Sequence, residues 1–314
     1  MTTLTTKKTS NSKKVKIKRH LQLYSLAALP VLLLLVFNYL PLVGIVLSFK
    51  RYRYDLGVFD SPWAGLKNFE FFFKSGVFVR ITRNTLLLNA MFIALIIICS
   101  VALAVVLYRV NSRKATKVYQ TILITPHFIS WVVAAYIIYA FLNPSFGILN
   151  MFLAKFGIAK IEWYMTANAW PAILAICYVW KHIGLDCVIY YAALMGMDSS
   201  LIEAASVDGA NRWQQTRHVI IPQLTVLIVI QTILKIGGIF RADFGMFYQL
   251  TRNVGDLYST TDVIDTYIFR TLQSDNSDMG MGTAVGLLQS CVGLCLVLFT
   301  NWASKKFDED YGLF

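Results

Sequence analysis

The sequence predicts an all-α integral membrane protein with six membrane-spanning helices. Of its 314 residues, 57% are hydrophobic and only 15% are charged, whereas soluble domains carry about 25% charged residues. Each of six apolar segments is long enough to cross ~30 Å of hydrocarbon as a helix. Because six is an even number, we expect both termini on the same side of the membrane.

The first span is expected over residues 21–49, after a basic tail over residues 1–20. The tail holds seven Lys and Arg residues and no acidic one, which marks the cytoplasmic side. Residues 21–49 carry no charge and exceed the ~7–15-residue core of a signal peptide. Pro30 and Pro41 are expected to kink this helix.

A core over residues 84–304 is expected to hold the other spans, followed by a cytoplasmic tail over 305–314. The fifth segment is interrupted by Lys235, a Gly237–Gly238 pair, Arg241 and Asp243. The predicted segments are 84–108, 118–142, 168–194, 222–248 and 279–304.

The extracellular loop over residues 50–83 is the weak point of the topology. It is basic and rich in phenylalanine, so the excess of basic residues on the inner side is modest. One interpretation is an amphipathic segment on the outer leaflet. A folded cap, or a contact for an extracellular partner, is the other.

The charge pattern and the missing motifs exclude several function classes. The net charge is +12, but the basic residues lie at span ends, where they contact lipid headgroups, so nucleic-acid binding is excluded. The sequence has no P-loop, and its Cys and His residues are scattered without metal-ligand spacing. Any ATP that drives the protein must therefore be bound by another subunit.

A polar loop over residues 195–222 separates the fourth and fifth spans. Glu203, Ala204 and Ala205 favour a helix, Gly209 breaks it, and Pro222 is expected to open the next span. Lipid offers such a loop no hydrogen-bond partners, so it lies outside the hydrocarbon. The pattern predicts a short helix, a glycine turn and a second helix that together fit a soluble partner.

The spacing in this loop resembles the EAA loop of bacterial ABC importer permeases. Glu203, Ala204, Ala205, Gly209 and Pro222 match that motif. Val219 and Ile221 replace its Ile and Leu, and the Asp208-Gly209-Ala210 run with Trp213 is similar to the carbohydrate version. Outside the loop, four segments resemble the polysaccharide and oligosaccharide branch: residues 39–50, 125–132, 265–267 and 286–290.

The resemblance implies a type I ABC importer permease with a maltose-type fold in the bacterial cytoplasmic membrane. It also implies a second homologous permease, two ATP-binding subunits and an extracellular or periplasmic solute-binding protein. ATP and Mg would be held by the ATPase, so this chain would carry no cofactor and no catalytic residue. The residues expected to couple transport to the ATPase are Glu203, Ala204, Ala205, Asp208, Gly209, Ala210, Trp213 and Pro222.

Charged and aromatic residues inside the spans are candidates for the substrate path. Charges in a membrane are costly, which singles out Asp186, Lys235, Arg241 and Asp243. Lys181 lies about 140° around the helix from Asp186, so no tight pair between them is expected. The aromatic faces suited to sugar C–H surfaces are Trp131, Tyr136, Tyr178, Trp180, Tyr190, Phe244 and Tyr248. Structural pairing or interfacial anchoring is the alternative for each residue.

The resemblance therefore implies import of oligosaccharides, and the cations in the path would suit acidic ones. Three alternatives remain at this point. They are an importer of a non-sugar solute such as a polyamine or phosphate, a polytopic membrane enzyme that uses the acidic loop near the C-terminus, and a channel.

Overall fold

A computed structural model describes residues 24–74, 76–273 and 279–307 of the chain. The predicted tail 1–20, the start of the first span and residues 308–314 lie outside the described residues. Within the described part the chain is helical, and its β-contacts are two isolated bridges, Lys50 to Trp63 and Arg53 to Gly57. The main helices are α1 (Tyr24–Phe49), α2 (Lys67–Lys74), α3 (Phe78–Tyr108), α4 (Arg113–Ile124), α5 (Trp131–Leu142), α6 (Ile148–Ala154), α7 (Trp170–Met195), α8 (Ser200–Val207), α9 (Arg212–Gly237), α10 (Phe244–Leu250), α11 (Ile264–Gln273) and α12 (Met279–Phe307).

Five helices in the described residues are long and apolar enough to cross a membrane by themselves. They are α1, α3, α7, α9 and α12. The pair α4 and α5 passes the same test only if the two helices form one bent span. The number of candidate spans is therefore five, or six with the bent pair.

The fourth and sixth segments have nearly the predicted bounds, and the winding of the first changes close to Pro41. α7 occupies the predicted 168–194 segment, and α12 the predicted 279–304 segment. In α1, a π-helical turn over Leu35–Tyr39 leads into a 3-10 helix over Leu40–Phe49.

The third segment is not the continuous helix predicted over 118–142. α4 begins at Arg113, and a bend of 98° separates it from α5. Pro126 follows the end of α4, and its missing N–H weakens the helical ladder there. The Ser130 hydroxyl then accepts a hydrogen bond from the Val133 N–H at 3.3 Å, which caps a new helix.

The fifth segment begins earlier than predicted, and its predicted interruption at the Gly237–Gly238 pair is confirmed. α9 begins at Arg212 instead of Pro222, ends at Gly237, and is followed by a separate helix α10. Pro222 follows a π-helical turn over Thr216–Ile220, so the helical hydrogen-bond pattern is already altered next to the residue that supplies no N–H. Asp243 starts α10 by accepting a hydrogen bond from the Met246 N–H at 3.1 Å.

The second segment begins before the predicted Asn84, because α3 starts at Phe78. Its first turns contain Arg80, whose Nη2 lies 3.0 Å from Oδ2 of the fully buried Asp262. Arg is a good helix former, so α3 continues through Arg80, and the ion pair compensates its charge. Part of the predicted 50–83 loop is therefore helical.

The described residues divide into two compact units: 24–70 with 279–284, and 71–273 with 285–307. In the first unit the loop after α1 folds around Lys50, which is only 4% exposed. The Lys50 ammonium donates to the carbonyls of Val58 and Phe59 and lies 5.2 Å from the Trp63 ring centroid. Asn68 donates to the Ser48 carbonyl at 2.9 Å near the end of α1. Part of this loop is thus an ordered turn, and Lys50 holds it together.

The second unit is built around α3 and α7, which border two buried apolar clusters. The first cluster joins them to α5 and α10 through residues such as Phe92, Trp170 and Phe247. The second joins them to α9 through Leu194 and Leu224.

A glycine on α7 allows this helix to approach α4 closely. A Cβ added at Gly184 would lie 2.0 Å from the Leu123 carbonyl oxygen. Gly184 therefore permits a contact between the two backbones that any side chain would prevent.

Candidate functional site

The loop between α7 and α9 has the predicted helix, glycine turn and second helix. Near the start of α8, the Ser200 N–H donates to the Asp198 carboxylate at 3.0 Å and lowers the pKa of that group. Gly209 has a φ of +79°, a conformation that costs glycine little. α9 then begins with a reciprocal capping box between Asn211 and Gln214.

The predicted coupling residues of this loop are largely accessible. Glu203 and Ala204 are exposed, and Ala205 is half-buried. Two large apolar side chains accompany them, because Val207 is 87% exposed and Trp213 is 68% exposed. Trp is enriched among the residues that contribute most to protein–protein binding, so an exposed Trp213 fits a surface that docks a partner.

The loop is nonetheless fastened to the spans. Ile202 packs against the second apolar cluster, and Gln215 donates to the Ala210 carbonyl at 3.0 Å. At the end of α3, Arg109 donates to the Arg212 carbonyl at 2.6 Å and to the Thr216 hydroxyl at 2.5 Å. A force on α8 would therefore reach α3, α7 and α9 through direct contacts.

Four predicted path residues line one cavity of about 210 Å³, termed cavity A. They are Tyr178, Lys235, Arg241 and Asp243. The other lining residues are Asn89, Phe92, Ile93, His182, Gly238 and Ile239. Cavity A thus combines an aromatic face with amide, imidazole, carboxylate and cationic groups, which is the mixture a polyhydroxylated ligand requires.

The charged path candidates make specific contacts. Asp186 pairs with Lys235, with 2.8 Å between Oδ2 and Nζ and side-chain exposures of 15% and 22%. Asp243 accepts a hydrogen bond from the indole N–H of Trp131 at 2.6 Å. Lys181 lies 5.1 Å from the Trp131 ring centroid and does not pair with Asp186 among the described contacts.

The chain has two helix breaks, the first between α4 and α5 and the second between α9 and α10. At both, polar side chains donate hydrogen bonds to backbone carbonyls. At the first break, Lys181 donates to the carbonyls of residues 126, 127 and 129, with 3.0 Å to residue 127. At the second, Asn89 donates to the carbonyls of residues 239 and 241 at 2.7 and 3.1 Å. Gln289 donates to the carbonyl of residue 240 at 2.7 Å. These bonds replace the helical ones that the breaks remove.

Asp265 on α11 also stabilises the second break through hydrogen bonds. Its Oδ2 accepts hydrogen bonds from the Ala242 N–H at 2.8 Å and from the Gln289 amide at 3.3 Å. Burial raises the pKa of Asp265, and these two hydrogen bonds and the nearby Arg241 oppose that shift only in part.

The remaining aromatic path candidates are dispersed. Tyr136 and Tyr248 line a second cavity of about 230 Å³, termed cavity B. Phe244 stacks on Tyr248 with 5.1 Å between ring centroids. Trp180 and Tyr190 line neither cavity, and Tyr190 is 1% exposed within the second apolar cluster.

Sequence reasoning missed five cavity residues with polar side chains: Asn89, Tyr139, His182, Gln249 and Arg252. His182 stands beside Lys181 in a predicted span, so the rarity of ionisable residues there could have identified it. The other four carry no comparable signal, because their role depends on which helices pack together.

Comparison with known proteins identifies the family. The sequence profile of the family described as "Binding-protein-dependent transport system inner membrane component" matches residues 97–309. Among relatives from Bacillus subtilis (strain 168), LplB is 31% identical and covers 95% of this chain and 92% of its own. The polygalacturonan/rhamnogalacturonan transport system permease protein YteP is 32% identical over 94% of this chain and 91% of its own.

Solved structures agree with the sequence comparison. The chain is similar to a bacterial ABC transporter involved in the import of the acidic polysaccharide alginate, with a TM-score of 0.82 and 32% identity. That match covers 95% of this chain and 99% of the other. A second match, also with a TM-score of 0.82, is the alginate transporter in complex with an alginate pentasaccharide-bound periplasmic protein, at 31% identity over 93% of this chain and 96% of the other.

These matches show the type I ABC permease fold and an integral membrane location. Transport components of this kind are not enzymes. The chain belongs to the family of binding-protein-dependent transport system inner membrane components.

Proposed function

We propose that the chain is the permease subunit of an ATP-driven importer of oligosaccharides in the bacterial cytoplasmic membrane. The observation that carries the proposal is similarity over nearly the whole chain to YteP and to the alginate transporter. Cavity A supports it, because it places the Tyr178 ring beside amide and carboxylate groups.

In this proposal the chain has six spans, with both termini in the cytoplasm. The bent pair α4 and α5 would form the third span, and the basic residues of the tail 1–20 favour a cytoplasmic N-terminus. The loop over 195–222 then lies in the cytoplasm, where an ATP-binding subunit can reach it.

The loop would couple the permease to two ATP-binding subunits, which hold ATP and Mg. Glu203 would supply a carboxylate for a charge-assisted hydrogen bond, the small side chains of Ala204 and Ala205 would allow close approach, and Gly209 would supply the turn geometry. Val207 and Trp213 add apolar area that the partner would cover. A second homologous permease would complete the path, and a solute-binding protein would deliver the sugar.

Co-purification with the ATP-binding subunit tests the coupling role. A Cβ added at Gly209 meets nothing within 4 Å, so Gly209→Trp projects outward and should block docking. Gly157→Trp is the matched control. Gly157 lies outside this loop, has a similar φ of +73°, and a Cβ added there also meets nothing within 4 Å.

In mild detergent, the wild type and Gly157→Trp should both retain the ATP-binding subunit and the second permease. Gly209→Trp should retain the second permease and lose the ATP-binding subunit. Equal retention of the ATP-binding subunit by all three proteins would refute the assignment of the loop. Failure of the correctly inserted wild type to retain any ATP-binding subunit would refute the importer itself.

A further inference from the structure

Cavity B lies between α5 and α10 and has an unusual set of polar groups. It is lined by three tyrosines, one amide and one arginine: Tyr136, Tyr139, Tyr248, Gln249 and Arg252. The remaining lining residues are aliphatic, so the lining contains no carboxylate. The cavity therefore carries a net positive charge and several flat aromatic faces.

Arg252 faces this cavity without an acidic partner. Its guanidinium carbon lies 4.2 Å from the Tyr139 ring centroid, and no ion pair of Arg252 occurs among the described residues. Arg80 and Arg270, by contrast, both pair with Asp262. A guanidinium stacked on a ring keeps its N–H edge available for a planar anion.

The backbone places Arg252 in this position at a conformational cost. Arg252 and Asn253 have φ values of +54° and +52°, which residues with a Cβ rarely adopt. The turn is held from outside the cavity, because Asn253 Oδ1 accepts hydrogen bonds from the Tyr258 hydroxyl at 2.9 Å and from Arg270 at 3.2 Å. Backbone strain maintained by such contacts is typical of functional sites.

The size of cavity B suits one ring of a longer chain. Its volume of about 230 Å³ is below the ~300–1,000 Å³ of pockets that enclose a drug-sized ligand. Asp243, in cavity A, precedes α10, and Gln249, in cavity B, lies near its other end. They are about 9 Å apart along the helix axis at 1.5 Å per residue, so an extended saccharide could contact both cavities.

We infer that cavity B is a subsite for one carboxylate-bearing sugar residue of the transported oligosaccharide. Arg252 binds the carboxylate through two parallel N–H donors. Gln249 hydrogen-bonds a hydroxyl, and the tyrosine rings contact the C–H face of the sugar. This inference rests on the proposed function and specifies its substrate class as acidic oligosaccharides.

The test compares uptake of tetragalacturonate with uptake of its methyl ester, which has the same backbone without the charges. The complete assembly, with its second permease, ATP-binding subunits and binding protein, is reconstituted in proteoliposomes. The variants are Arg252→Gln, Arg252→Lys and Lys155→Gln. Lys155 is exposed and lines neither cavity, so its variant controls for a change in net charge.

Arg252→Gln should lower the initial rate of tetragalacturonate uptake about tenfold and that of the ester less than twofold. Arg252→Lys should recover part of the loss because it keeps the charge but not the planar fork. Lys155→Gln should leave both rates unchanged. Equal loss for both sugars, or no loss, would overturn the inference.

Uptake by the wild-type protein distinguishes failure of the acidic subsite from failure of the proposed function. Uptake of the ester alone overturns the acidic subsite and leaves oligosaccharide import intact. Uptake of neither sugar, nor of any other oligosaccharide bound by the binding protein, overturns the proposed function. If only the charged sugar is carried, the Gln and Lys variants decide: a larger loss with Gln supports the subsite, and equal losses refute it.

Discussion

The ion pair between Asp186 and Lys235 connects α7 to α9, and its removal should destabilise the protein in a non-additive way. Oδ2 and Nζ are 2.8 Å apart, and both side chains are mostly buried. At an effective dielectric constant of about 20, the attraction at this distance is about 6 kcal/mol before desolvation is subtracted. Desolvation offsets much of that value.

Removal of one partner leaves the other charge buried without a counter-ion. This costs ~3–5 kcal/mol for a fully buried pair, and the residual exposure here reduces our expectation to about 2–4 kcal/mol. We therefore expect Asp186→Leu and Lys235→Met each to lower the Tm by about 4–8 °C, at about 2 °C per kcal/mol for a large chain. The double variant should lose no more than the worse single variant, because an apolar pair leaves no uncompensated charge.

Thermal unfolding of the purified protein in one detergent measures all three variants. A second cycle with Asp186→Leu and Lys181→Met serves as the control, since Lys181 bonds to carbonyls at the first break and not to Asp186. That cycle should be additive within about 0.5 kcal/mol. Additivity of the Asp186 and Lys235 losses would refute the pair and favour separate roles in the path.

Three further predictions follow from individual contacts. Gly184→Ala should destabilise the protein by about 1–3 kcal/mol through overpacking against α4, whereas Gly286→Ala, in open space on α12, should leave the Tm unchanged or raise it. Burial raises the pKa of Asp265, so its contribution to stability is greatest below the ordinary carboxyl pKa and is lost as pH rises through the higher folded-state pKa. Asp265→Asn should therefore flatten the pH dependence of Tm in that window. Arg109→Met should speed amide hydrogen exchange at the start of α9 and leave α12 unaffected, because it removes two hydrogen bonds to the loop.

The long helices could be predicted from the sequence because hydropathy is a local property. Long apolar runs place α7 and α12 within a few residues of their observed bounds. The breaks could not be placed in the same way. Pro126 and the Gly237–Gly238 pair weaken the helices around them, but a helix breaks only where other groups donate hydrogen bonds to the freed carbonyls. Those groups come from distant segments.

The candidate coupling loop was easier to predict than the candidate path. Gly209 and the capping residue Asn211 act on their immediate neighbours, so the turn follows from local chemistry. Asp186 and Lys235, by contrast, are 49 residues apart, and no local pattern indicates which cation faces which carboxylate. Arg252 was missed for a similar reason, because its position depends on contacts that hold Asn253 from elsewhere in the fold.

The two breaks also explain why polar residues gather around cavity A. Irregular backbone is tolerated at membrane depth only where protein buries it or where it lines a water-filled cavity, and Gly238 and Ile239 of the second break line this one. Lys181 and Asn89 satisfy freed carbonyls, so their polarity is used largely by the fold. His182 is different: its Nε2 is buried without a hydrogen-bond partner among the described residues. The breaks therefore create both a structural need for polar side chains and the polar cavity that some of these side chains line.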